Sequence, residues 1–194
     1  MFSTQRATSV VLSAAIVVGL GGCSLIEPQG TVVPLTGLAA CAQGNTWNLD
    51  MTKLAETVKA NIAAQGFGVE ITTAGKQVMV WDIDGAVVID SDYTLTITSA
   101  PAPEQVQTVT TTHVGKATGA SYITENIAIP RDWDATGTVI KTVGDLDGTP
   151  IDPVPFSVLN ADLNDSVGVE LTCDGETLTT HPRGSSITQT WTKG

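Results

Sequence analysis

The chain is 194 residues long and strongly acidic, with nine basic and 20 acidic side chains and a formal net charge of −11. This length suits one domain with enough chain to bury a core. The acidic balance argues against nucleic-acid binding, which requires a basic surface. It also argues against a polybasic attachment to anionic lipid. We therefore expect no nucleic acid among the partners.

An apolar stretch runs from Val10 to Cys23 and ends in Leu20-Gly21-Gly22-Cys23, with Arg6 as the only charge before it. A membrane-spanning helix needs about 20 apolar residues, whereas this stretch has about 14. Its end resembles the lipobox of bacterial lipoproteins, in which a leucine stands three positions before a cysteine and small residues lie between them. In that family a diacylglycerol is attached to the cysteine thiol, and a peptidase cleaves the chain before that cysteine.

The resemblance implies a signal peptide over residues 1–22 and a lipidated N-terminal Cys23. Residues 23–40 contain two prolines, two glycines and one charge, and are expected to be a tether. The protein is then expected at the cell membrane, facing the extracytoplasmic side and held by the acyl chains on Cys23. A plain secretory signal and a retained anchor helix are the alternatives.

Two cysteines remain once Cys23 is assigned to the acyl group. Cys41 and Cys173 form an even pair, and in an oxidising compartment such a pair favours a disulfide. We therefore predict a Cys41–Cys173 bridge, which closes a loop of about 130 residues and contributes roughly 4–5 kcal/mol in the chain-entropy model. Two separate free thiols are the alternative.

One amphipathic helix is predicted after residue 50, because Met51, Leu54, Val58 and Ile62 recur at spacings of three and four. Asp50 is the expected N-cap. After residue 66 the apolar pattern changes to a period of two, and Asp84-Gly85 and Asp174-Gly175 are hairpin signals. The strand patterns cover residues 69–72, 78–83, 86–89, 93–98, 106–114, 123–129, 139–143, 167–173, 177–180 and 187–191.

These patterns predict a single mainly β domain over residues 41–194, an antiparallel barrel or sandwich of about eight or nine strands with one N-terminal amphipathic helix. Residues 144–160 contain three closely spaced prolines and are expected to form a long surface loop. Trp47 near the start of the domain, the run of hairpins and Trp191 on the last strand resemble the small lipocalin-like barrels of secreted bacterial proteins. That resemblance implies an apolar or amphiphilic ligand in the mouth of the barrel.

The aromatic residues supply the candidate contacts for a ligand or a partner, namely Trp133, Trp81 and Tyr93. Trp133 is expected in a loop, where it could line a pocket mouth, contact a partner, or fold down to plug the end of its own barrel. Trp81 is also expected in the core, and Trp47 and Trp191 are expected to meet there.

Catalytic patterns are weak in this sequence. No Gly-x-Ser-x-Gly motif occurs, and His113 and His181 each lie in a context typical of a surface or a sheet edge. The recurring aspartate pairs fit turn chemistry better than a calcium site. We therefore expect no catalytic residues, no metal site, no cofactor and no enzymatic activity.

The sequence thus predicts a monomeric, lipid-anchored protein that binds a small apolar or envelope-derived ligand without catalysis. The alternative is a structural or interaction lipoprotein that docks another cell-envelope protein through loops 130–136 and 144–157. A large apolar cavity would favour the first reading. A filled interior with exposed apolar loop tips would favour the second.

Overall fold

A computed structural model describes residues 35–152 and 167–194, which belong to one compact unit. The predicted signal peptide, Cys23 and most of the predicted tether lie outside the described residues. Within the described ranges, no helix has both the length and the apolar character required to cross a membrane.

The described chain is mainly β, as the sequence predicted. Two helices are present, α1 (Gly37–Ala42) and α2 (Met51–Ala64). The strands are β1 (Asn45–Leu49), β2 (Val69–Trp81), β3 (Ala86–Ser99), β4 (Gln107–Thr124), β5 (Ile127–Asp134), β6 (Thr138–Leu146), β7 (Thr149–Ile151), β8 (Val169–Cys173), β9 (Thr177–Pro182) and β10 (Gln189–Lys193).

All ten strands form one antiparallel sheet in the order β3-β2-β1-β10-β9-β8-β5-β4-β6-β7, and an additional pairing between β3 and β4 closes eight of them into a ring. Strand β4 is long enough to pair with two strands on one edge. Its second half pairs with β5, and its first half pairs with β6. The result is a barrel from which β6 and β7 extend.

Helix α2 follows the predicted pattern. The Asp50 carboxylate accepts a hydrogen bond from the backbone N–H of Lys53 at 3.0 Å, which caps the first turn. Leu54, Val58 and Ile62 are fully buried. They share one core cluster with inward-facing residues of β2 and β3, so the helix covers that part of the barrel interior.

The predicted disulfide is confirmed. Cys41 in α1 is bonded to Cys173 at the end of β8, with 6.1 Å between their Cα atoms and a sequence separation of 132. Helix α1 begins at Gly37, inside the segment assigned to the tether, and Leu38 packs against the core. The packed structure therefore includes residues just before position 41.

Two expectations about the β4–β7 region are wrong. The strand predicted over residues 123–129 is broken by a two-residue turn at Glu125-Asn126, because Thr124 and Ile127 pair directly across it. The segment expected to be a loop from residue 144 instead continues β6 to Leu146 and then forms β7. Pro150 is tolerated in β7 because this short strand lies at the edge of the sheet. The rest of that predicted loop, residues 153–160, lies outside the described chain.

Candidate ligand-binding cavity

The interior of the barrel encloses a cavity of about 380 Å³. Its wall is mainly apolar and is built from side chains of β2–β6, β8–β10 and the β9–β10 connection. Of the described residues, four Trp and Tyr side chains contribute to the wall: Trp81, Tyr93, Trp133 and Trp191.

The period-two pattern of the strands places these side chains inside. In β2 every second residue points inward, and Gln77 and Trp81 both line the cavity. Their cross-strand partners in β3, Ser91 and Val87, line it as well. Ala117 in β4 is also part of the wall. A small side chain at that inward position leaves space that a larger one would fill.

The cavity ends where the interior becomes filled. Along β3 the inward positions pass from Tyr93, which lines the cavity, to Leu95 and Ile97. The latter two belong to the buried cluster that includes α2. The helix side of the barrel is therefore closed by packed apolar side chains.

Among the described strands of the ring, β5 and β8 share the shortest pairing, which consists of Ile127–Glu170 and Ala128–Val169. The rest of β5, up to Asp134, does not pair with β8. The cavity residues of this region, Trp133, Ala135, Thr138 and Ile140, are half-buried or exposed. We place the mouth of the cavity here.

Tyr93 and His113 form a stacked pair on the cavity wall. They are cross-strand partners in β3 and β4, with ring centroids 4.5 Å apart and ring planes 5° from parallel. Burial raises the pKa of the Tyr93 hydroxyl far above its usual range and lowers the pKa of the His113 imidazole. Both groups are therefore held in their uncharged forms at neutral pH.

Three buried polar atoms on the wall have no hydrogen-bond partner among the described residues. They are Oε1 of Gln77, Nε1 of Trp81 and Nε2 of His113. Two other polar side chains of the wall are paired with each other. Trp191 Nε1 donates to Thr180 Oγ1 at 3.0 Å.

Charged side chains are absent from the cavity wall in the described ranges. The ion pairs lie on the surface, where Lys116 contacts Asp90 at 3.2 Å and Arg183 contacts Glu170 at 3.4 Å. The acidic side chains of the described residues thus lie outside the cavity wall.

The structure brings all three candidate contacts, Trp81, Tyr93 and Trp133, to this one cavity. Trp133 was expected in a loop. It instead lies in β5 and packs against the buried core. Gly119 of β4 makes this packing possible, because a Cβ atom there would lie 2.5 Å from Trp133 Cε3.

The expectation for His113 is wrong. Its ring is 5 % exposed and lines the cavity. His181 is half-buried, and its Nδ1 lies 3.1 Å from Thr188 Oγ1. Sequence reasoning missed both His113 and Gln77 as cavity residues. The sequence did contain a signal for both residues, because alternate residues of a strand point to the same side. His113 lies an even number of positions from Ala117, and Gln77 lies an even number of positions from Met79. Both Ala117 and Met79 are apolar residues that point inward.

The cavity is equipped to hold an apolar body and to hydrogen-bond a few polar atoms. Within residues 35–152 and 167–194, no group of three or more His, Cys, Asp or Glu side chains is placed to hold a metal ion. No family model, curated protein or solved structure matches this chain.

Proposed function

We propose that this chain is a lipid-anchored, extracytoplasmic protein that binds a small, mainly apolar molecule inside its barrel, without catalysis. The observation that carries the proposal is the cavity of about 380 Å³ lined by Trp81, Tyr93 and Trp133.

Protein interiors are normally close-packed, with few voids larger than a water molecule. A cavity of this volume lies in the range of small-molecule sites, which are mainly apolar and carry a few placed polar groups. The wall of this barrel has that composition. Ala117 in β4 and Ala128 in β5 are buried in the wall, and their small side chains leave space in the interior.

The membrane location rests on the lipobox resemblance at Leu20-Gly21-Gly22-Cys23. Two acyl chains would give stable attachment, whereas a strongly acidic domain has no electrostatic affinity for anionic lipid. The ligand would then be taken up close to the membrane surface.

The docking alternative is less well supported over residues 130–136. Trp133, the large apolar residue of that stretch, packs against the core instead of projecting from a loop tip. An exposed apolar tip is what docking through this stretch would need. Docking through residues 144–157 stays a prediction, and part of that segment lies outside the described residues.

A cavity-filling substitution tests the proposal. In the full chain carrying Cys23→Ala, which removes the acylation site, binding of the neutral reporter N-phenyl-1-naphthylamine is followed by its fluorescence. Ala117→Phe places a ring in the cavity and is expected to weaken reporter binding at least tenfold.

Ala74→Phe is the matched control, because Ala74 lies on the exposed face of β2 and is not part of the cavity wall. It is expected to leave binding unchanged. Circular dichroism verifies that both variants fold. Failure of the parent chain to bind the reporter, or equal binding by the parent and a folded Ala117→Phe variant, would contradict the proposal.

A further inference from the structure

The unpaired polar atoms of the cavity restrict the chemistry of the ligand beyond its being apolar. Trp81 and His113 are 3 % and 5 % exposed, and the unpaired atoms of Gln77, Trp81 and His113 are all buried in the wall of the same cavity. A buried polar atom without a partner is costly, because it has lost its hydrogen bonds to water and gained none in return. Three such atoms around one space indicate that the occupant supplies hydrogen bonds.

Two of these atoms belong to the same part of the wall. Gln77 lies opposite Ser91 on β3, and His113 lies opposite Tyr93, the next inward residue of β3. The side-chain amide of Gln77 is fixed, because its Nε2 donates to Ser91 Oγ at 2.8 Å. This bond leaves Oε1 as a hydrogen-bond acceptor for another molecule. The His113 ring is fixed by its stack on Tyr93.

Trp81 lies two inward positions further along β2, about 13 Å from Gln77 at the rise of a strand. Its Nε1–H is a donor only. Between the two positions the wall is apolar, with Met79, Ile89 and Ala117 on three adjacent strands. The polar groups of the wall are therefore separated along the cavity by an apolar stretch.

The charge of the ligand is restricted as well. The wall has no Asp, Glu, Lys or Arg side chain among the described residues to neutralise a charged group. Transfer of an unpaired ion into such an environment is strongly unfavourable. An uncharged ligand avoids that cost.

We infer that the ligand is an uncharged amphiphile with a hydroxyl group at one end of an apolar body, an assignment that rests on the proposed function. The hydroxyl donates to Gln77 Oε1 and hydrogen-bonds His113 Nε2, because a hydroxyl is both a donor and an acceptor. The apolar body lies along Met79 and Ile89. The Nε1–H of Trp81 then donates to an oxygen further along the molecule.

A series of probes with one chain length tests this inference on the full chain carrying Cys23→Ala. At pH 8, 1-decanol, methyl decanoate and decanoate each compete with N-phenyl-1-naphthylamine, and the reporter fluorescence gives their affinities. The alcohol can satisfy Gln77 Oε1, whereas the ester has no donor. We expect the alcohol to bind about two- to tenfold more tightly than the ester, and decanoate to bind at least tenfold more weakly than the alcohol.

Two variants identify the residues responsible for the preference for the alcohol over the ester. Gln77→Leu removes the acceptor, and His113→Phe removes the ring nitrogens while keeping a ring to stack on Tyr93. Each is expected to reduce the alcohol-to-ester ratio towards one. Gln105→Leu is the matched control, since it makes the same change at an exposed residue outside the cavity wall, and it is expected to keep the preference.

Reporter binding by a variant shows that its cavity is intact. Equal affinities for the alcohol and the ester in the parent chain, or decanoate binding as well as the alcohol, would overturn the inference and leave the proposed function standing. So would a preference that survives both Gln77→Leu and His113→Phe. If the reporter itself fails to bind the parent chain, the proposed function falls and the inference falls with it.

Discussion

His113 lies within β4 with its ring stacked on Tyr93, on the same inward set of positions as Val109 and Ala117. Its threonine-rich neighbourhood suggested a surface strand, because threonine is common on the exposed faces of sheets. The structure shows that β4 instead contributes His113, Ala117 and Ser121 to the cavity wall. Local composition does not identify a single polar residue that points inward. The inward position of such a residue can be recognised once the partner strand is known.

The buried imidazole predicts a pH effect on stability. Burial lowers the pKa of folded His113, whereas the unfolded chain has the ordinary value of about 6.5. Between these two pKa values the unfolded state binds more protons, so the free energy of unfolding decreases as the pH falls below about 6.5. We expect His113→Phe to lose part of the decrease in Tm that the parent chain shows between pH 7.5 and pH 5.

The parent chain and the His113→Phe variant have the same carboxylates. The difference between their changes in Tm therefore removes the contribution of the carboxylates. His181→Asn serves as the control for the removal of an imidazole outside the cavity wall. An unchanged dependence of Tm on pH in a folded His113→Phe variant would show that the buried ring does not contribute in this way.

At the scale of elements, the sequence was informative where local chemistry determines the structure. The Asp50-capped helix and the turns at Asp84-Gly85 and Asp174-Gly175 appear where they were predicted. The disulfide follows from counting cysteines once Cys23 is set apart. In each case a few neighbouring residues, or the number of cysteines, carry the whole signal.

The turn between β4 and β5 was missed for a physical reason. Glu125 adopts a φ of 54°, a conformation for which glycine or asparagine is the usual signal. In addition, Ile123, Glu125, Ile127 and Ile129 continue the period of two across the turn, so the pattern resembles one strand. Trp133 was expected in a loop because it lies between Pro130-Arg131 and Gly137, whereas the structure places it in β5.

The packing of β5 on β4 supplies a second prediction. A Cβ at Gly119 would lie 2.5 Å from Trp133 Cε3 and 3.1 Å from the Arg131 carbonyl oxygen. Gly119→Ala therefore forces Trp133 to move. We expect a loss of about 1–3 kcal/mol in the free energy of unfolding, measured by urea denaturation. Gly68→Ala is the matched control, because nothing lies within 4 Å of a Cβ at that position. A Gly119→Ala chain as stable as Gly68→Ala would contradict the packing described for Trp133.

The architecture of the whole molecule was the feature least predictable from the sequence. The alternating strands predicted a barrel or a sandwich, but the ring closes through pairings between strands distant in sequence, such as β1 with β10 and β5 with β8. The open interior depends on where the ring places small inward side chains, such as those of Ala117 and Ala128. A periodic pattern indicates which residues point inward. It does not indicate how much space they leave.

The net charge and the lipobox resemblance together predict how the molecule is held. The chain has 20 acidic and nine basic side chains, so an anionic membrane surface repels it. If the proposed membrane location is correct, attachment would come from the acyl chains on Cys23, since two chains suffice for stable anchoring. We expect Cys23→Ala to move the protein from the membrane fraction to the soluble fraction or the medium, as measured by immunoblotting after ultracentrifugation.

Ser24→Ala, which alters the neighbouring residue and keeps the thiol, is the control and is expected to stay with the membrane. Washing with 1 M salt is expected to leave the parent protein bound, because salt screens charge interactions and does not extract acyl chains. A Cys23→Ala protein that remains in the membrane fraction would refute lipidation at this residue. Release of the parent protein by salt would instead indicate that it is held by charge through another component of the envelope.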